Sequence, residues 1–204
     1  MLFRSYSGEL LNDKIDMSEL RKNAVRMDGF MLFLDPTQLY GGDGKVTLKA
    51  QLGKLKEFLT DMRDERGVAV GTVIPVPVAV CIPKFDMLLT ENPIGGQAVH
   101  FTRHMMERMN PEPKETTLDT PAARSELVEQ MLPLMFPGVD IRNIVEGFFG
   151  KQVMFFPMSS VNLIESELGV ADLSKRSAIL PFGVAEPIIW LLHMHGYQVF
   201  APNH

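Results

Sequence analysis

The sequence predicts an α/β domain, a mainly parallel sheet with helices on both of its faces. Three observations carry this. Short, solidly apolar runs at 30–34, 76–82 and 153–158 lack the in–out alternation of a half-exposed strand, as strands buried on both sides do. Stretches of helical periodicity separate these runs, the order expected of strands joined by helical crossovers. The chain has 204 residues, 46% apolar and 22% charged, with no internal repeat or low-complexity segment, so one domain over 1–204 with a full core is expected.

The elements follow in order. Ser18 suits the cap of a first helix with Leu20 and Val25 inward, and Asp28-Gly29 turns the chain into Phe30–Leu34. That run is apolar throughout and closed by Asp35-Pro36, so a central strand is expected there. Tyr40–Gly44 is a loop. A helix from about Thr47 carries Leu48, Leu52, Leu55, Leu59 and Met62 on one stripe, and Gly67 is placed to end it. Val68–Ile74 and Val76–Ile82 read as one strand interrupted by Pro75 and Pro77, with Val78–Ile82 its unbroken part.

Residues 87–150 are the least regular section and read as an insertion over the upper edge of the sheet. They hold Asn92–Gly96, a Met-rich helix around Ala98–Met109, a polar link over Asn110–Thr120, and a helix opened by Thr120-Pro121 that runs through Met131 with a kink expected at Pro133. Lys151–Met158 is the last strand. Val184–His195, stopped by Gly196, is the closing helix.

Charge and composition exclude several classes. Net charge is 20 minus 25, or −5, without basic runs or interleaved aromatic and basic residues, which argues against nucleic acid. No stretch reaches the roughly 18 apolar residues of a membrane span, and Met1–Glu9 carries Arg4 and Ser5 where a signal peptide has an apolar core. The single cysteine, Cys81, lies inside an apolar strand and reads as a small buried residue in a reducing compartment. A cytoplasmic address is expected.

The most telling stretch is the end of the second run, where Pro83-Lys84-Phe85-Asp86 follows Ile82. A lysine and an aspartate two apart at the mouth of a buried strand is the arrangement with which GTPases recognise guanine. A Gly-x-x-x-x-Gly-Lys-Ser/Thr phosphate loop is absent. Gly41–Lys45 imitates one superficially, but Val46 follows the lysine and Leu39 stands where the first glycine belongs. Asp35 has the strand-terminal place of a magnesium aspartate, yet Pro36 favours a structural turn. His100 with His104 and His193 with His195 have metal-compatible spacing; only Glu107 offers a further ligand nearby, and surface histidines are the better reading. The methionines at 105, 106 and 109 fit core packing better than an adaptable contact surface.

The succession strand-Asp-Pro, strand-x-Lys-Phe-Asp, strand-Ser-Ser and closing Glu-Pro-Ile-Ile-Trp-Leu-Leu resembles the C-terminal two-thirds of a Ras-like GTPase domain, over about residues 2–196. It is most similar to the bacterial double-GTPase group of the translation-factor-related class. The resemblance implies a GTPase-like fold, and it assigns Asp86 to the guanine ring nitrogens and the stem of Lys84 to the base plane. Pro83 replaces the Asn or Thr of that motif and supplies no donor. Ser159-Ser160 would stand for the base-contacting Ser-Ala. The switch motif Asp-x-x-Gly would fall on Ser5-Tyr6-Ser7-Gly8, with Ser5 in place of the magnesium-holding aspartate, Gly8 giving its amide to the terminal phosphate and Glu9 where a water-orienting side chain can sit.

In that frame the first strand, phosphate loop and first switch would precede Met1. Without the loop's amides and lysine a triphosphate loses most of its charge neutralisation. The resemblance therefore implies a non-hydrolysing protein-interaction or regulatory module. The alternative is a guanine-nucleotide switch completed by an upstream segment or a partner chain, which alone would bring GTP or GDP and magnesium. A sheet lacking its first strand would expose an apolar edge, so a homodimer or a protein partner is expected.

Overall fold

The computed structural model describes residues 25–35, 48–85, 119–159 and 183–199. Within them, three strands form one parallel sheet in chain order: β1 (Phe30–Phe33), β2 (Val78–Ile82) and β3 (Val153–Pro157). Phe30, Val78 and Val153 share one register position, and Leu32, Val80 and Phe155 another. Four helices accompany them: α1 (Leu48–Glu65), α2 (Asp119–Met135), α3 (Ile141–Phe149) and α4 (Glu186–Met194).

Strand alternation divides the core between two faces. Val78, Val80, Ile82 and Phe155 point to one face, where Leu55, Leu59 and Met62 of α1, Val128, Met131 and Met135 of α2 and Val145 and Phe149 of α3 cover them. Ala79, Cys81 and Phe156 point to the other, against Trp190 and Leu191 of α4, with the Phe156 and Trp190 rings 5.8 Å apart. Helices on both faces of a parallel sheet therefore hold as expected, and β2, fully buried along its length, is the central strand. Phe30–Leu34, expected as a strand, forms β1 over Phe30–Phe33. Among the described residues β1 pairs with β2 alone, and the Phe33 side chain is 50% exposed. An apolar run reports that a strand's faces are covered and says nothing of how many neighbours it pairs with.

The expected strand over Val68–Ile74 does not form. Gly71 takes φ +84° and Thr72 donates its N–H to the Ala69 carbonyl at 2.9 Å, so the segment turns, leaving Val70 exposed. Straight after α1, Gly67 with φ +66° ends the helix, its N–H on the Asp64 carbonyl at 3.0 Å. Pro77 stands immediately before β2, where its missing N–H costs nothing, and its carbonyl accepts the Phe30 N–H at 3.0 Å.

Residues 119–149, the described part of the expected insertion, supply α2 and α3, and both lie on the sheet's face as part of its core. Pro133 sits on the exposed side of α2, and the helix continues past it to Met135. Asp140 caps α3 by accepting the Asn143 N–H on Oδ1 at 3.0 Å, and Ile141, Val145 and Phe149 repeat every four residues on its buried side.

Ser125 of α2 accepts the Phe155 N–H on its Oγ at 2.9 Å, on the side of β3 away from β2. Beyond β3 the chain passes so close that a Cβ at Gly183 would strike the Pro157 carbonyl, which requires glycine there. Arg124 of α2 and Glu186 of α4 then form a sheltered ion pair between helices on opposite faces. The helix expected from Ser18 and residues 92–118 lie outside the described residues; Val25 and Arg26 form a turn.

Candidate functional site

The three strands run in one direction, so their carboxyl ends gather at one edge of the sheet, the place where parallel α/β sheets take their ligands. Asp35 follows β1, Lys84 follows β2 and Ser159 follows β3.

Lys84 owes its position to an extra residue in the ladder. Met158 donates its N–H to the Ile82 carbonyl at 2.9 Å, and regular parallel alternation would return the Lys84 N–H to the Met158 carbonyl. The Phe85 N–H takes that place instead, at 3.0 Å. One residue is inserted, a bulge, and Lys84 absorbs it with φ +53°, the only non-glycine positive φ among the described residues. Side-chain parity then shifts by one. Phe85 joins Ile82 in the core of the α1–α3 face, fully buried, where unbroken alternation would send it to the other side.

Released from the core, Lys84 reaches sideways to the end of β1. Its Nζ lies 2.7 Å from Asp35 Oδ2, with the lysine side chain 52% exposed and the aspartate 12%. A pair with one partner this open contributes at most about 1 kcal/mol, but it fixes the direction of the lysine and neutralises a sheltered carboxylate. Asp35 thus enters the site as the partner of Lys84; its strand-terminal place was visible in the sequence, and its partner 49 residues onward was not.

Of the residues assigned by resemblance, the structure brings Lys84 and Ser159 to this edge. Ser159 is 2% exposed, so its hydroxyl is turned away from solvent. It follows Met158, the residue that holds the bulge, so both sit on chain segments joined by the Phe85–Met158 bond. Asp86, Ser160, Ser5, Gly8 and Glu9 lie outside the described residues, as do His100 and His104. No family model matches the chain, and no curated protein or solved structure matches it either.

Other chemistry is sparse near these strands. Cys81 is buried beneath α4, its Sγ 3.8 Å from the Ala79 carbonyl, and burial pushes its thiol up to about 12, so it is no nucleophile near neutral pH. Among the described residues no three His, Cys, Asp or Glu side chains come together as a metal site, and no helix is long and apolar enough to cross a membrane.

Proposed function

We propose that this chain is a GTPase-like α/β module that works by binding at the carboxyl edge of its sheet, without hydrolysis. The observation that carries this reading is the succession Asp35, Lys84, Ser159 at the ends of three neighbouring parallel strands in chain order, the order in which the resembling motifs occur. Two features favour binding over phosphoryl transfer. The 204 residues contain no phosphate-loop motif, and the ammonium of Lys84 is already matched by Asp35. A cation neutralised from within contributes little to a triphosphate's charge.

One observation favours a second reading, a guanine-nucleotide switch completed by another segment or chain: the half-exposed Lys84 leaves its aliphatic stem open to a planar base. Calorimetric titration with GDP, GTP and ATP, with and without magnesium, separates the two. The module reading expects no heat up to millimolar nucleotide. Micromolar binding of guanine nucleotides, lost on Asp86→Ala, would overturn it in favour of the switch.

A further inference from the structure

The two faces of the described sheet are covered unequally. Three helices hold one face, while among the described residues α4 alone covers the other, over Ala79, Cys81 and Phe156. α4 is also the more weakly fastened of the two nine-residue helices. α3 has the Asp140 cap and shares its face with α1 and α2. α4 starts after Ala185 with no side-chain cap, and it buries Pro187, Trp190 and Leu191. Its ion pair to Arg124 is sheltered, and the second carboxylate oxygen of Glu186 is buried without a hydrogen bond. Desolvation offsets much of the attraction in such a pair. Releasing α4 returns the backbone freedom of nine residues against the loss of three buried side chains, the balance of an element that opens before the whole fold does.

One residue links this cover to the carboxyl edge of the sheet. Met158 lies in the same apolar cluster as Trp190 and Leu191, and the chain entering α4 passes it at Gly183, where an added Cβ would come 3.5 Å from the Met158 Cα. The Met158 carbonyl also accepts the Phe85 N–H at 3.0 Å, the bond that holds the bulge at Lys84. We infer that α4 is a releasable cover, opening from the sheet as a unit while the other face stays folded, and that the bulge at Lys84 holds it closed through Met158. This rests on the reading of that edge as a binding site and adds its regulation. An occupant that fixes the bulge favours the closed cover, and by linkage a closed cover favours the occupant. Opening bares Cys81, which is fully buried beneath the closed helix.

The chain carries its own reporters, since Trp190 is its single tryptophan and Cys81 its single cysteine. Urea titration followed by Trp190 fluorescence, by labelling of Cys81 with Ellman's reagent and by far-UV dichroism tests the inference. Fluorescence and labelling should change at lower urea than the helical dichroism, and the labelling rate should depend on urea less steeply than global unfolding does. Without urea, Leu191→Ala should speed labelling at least about tenfold. Val145→Ala, a truncation equally buried on α3, should lower the dichroism midpoint and leave labelling within about twofold. Lys84→Val sets a branched residue at a left-handed φ and should speed labelling several-fold, whereas Lys84→Gly should not. Three coincident transitions, equal responses to Leu191→Ala and Val145→Ala, or labelling indifferent to Lys84→Val would overturn the inference. No ligand enters these measurements, so nucleotide titration can overturn the function proposed for the edge and leave the cover standing, and the reverse.

Discussion

Replacing Ser125 by alanine isolates one hydrogen bond whose loss can be read in several ways. Ser125 is 4% exposed, and its Oγ accepts the Phe155 N–H at 2.9 Å on the outer side of β3. The hydroxyl lies 3.4 Å from Glu129 Oε1, a long contact that carries little of the total. Alanine leaves a methyl group beside a buried amide, and an orphaned buried donor costs about 1–3 kcal/mol. Alanine returns a few tenths of a kcal/mol through its better helix propensity, so a net loss of about 1–2 kcal/mol is expected. For a chain of this size that is a fall in melting temperature of about 2–8 °C. Urea unfolding should show a lower midpoint at unchanged slope, and the Phe155 amide should exchange with solvent faster than in the wild type. A midpoint equal to the wild type's, with Phe155 still protected, would refute the assignment of Ser125 as the acceptor that closes this edge.

Two further outcomes follow from the same geometry. Cys81 titrates near 9 when unfolded and at about 12 when buried, so its neutral thiol favours the fold fully below pH 9, and that contribution drains away as pH rises toward 12. Urea unfolding of the wild type against Cys81→Ala should therefore give a pH-independent difference from 7 to 9 and a relative loss for the wild type of about 1.4 kcal/mol per pH unit above it; parallel curves up to pH 11 would contradict the burial. Lys84→Gly removes an ion pair of at most about 1 kcal/mol and relieves a left-handed φ that costs a lysine about 1–2 kcal/mol, so its urea midpoint should equal or exceed the wild type's, whereas a clear loss would mean that Lys84 holds the turn through contacts beyond Asp35.

What could be read from the sequence was whatever local composition decides. β2, β3 and α1 announce themselves because each sets a full apolar stripe or run against polar flanks, and Gly67 and Gly196 end their helices with φ +66° and +83°. β1 forms where its apolar run lies, although such a run reports covered faces and not paired edges. Val68–Ile74 misled: its β-branched residues fit a strand, while Gly71 in the left-handed region bends the chain away. α3 had a usable signal that went unread, Asp140 as cap followed by apolar residues at 141, 145 and 149. Lys84 stood out in the sequence, but its partner did not, because Asp35 meets it only once β1 and β2 lie side by side in register.

The bulge explains why the site and the core cannot be separated at this edge. Burying the Phe85 ring contributes about 2–3 kcal/mol, more than the left-handed φ of Lys84 costs on its lower estimate of about 1 kcal/mol, and the Asp35 pair adds little to either side. Returning the chain to regular register would move Phe85 off its face and give Met158 the Lys84 amide, so the core itself selects the inserted residue. The backbone of the lysine is consequently set by the packing behind it, and the carboxylate in front of it directs only its ammonium. A ligand that exchanges with Asp35 would find the Lys84 backbone already set, with only the side chain's own rotamers left to order. That is the property expected of a binding residue placed on a strand end, and it holds whichever occupant the edge receives.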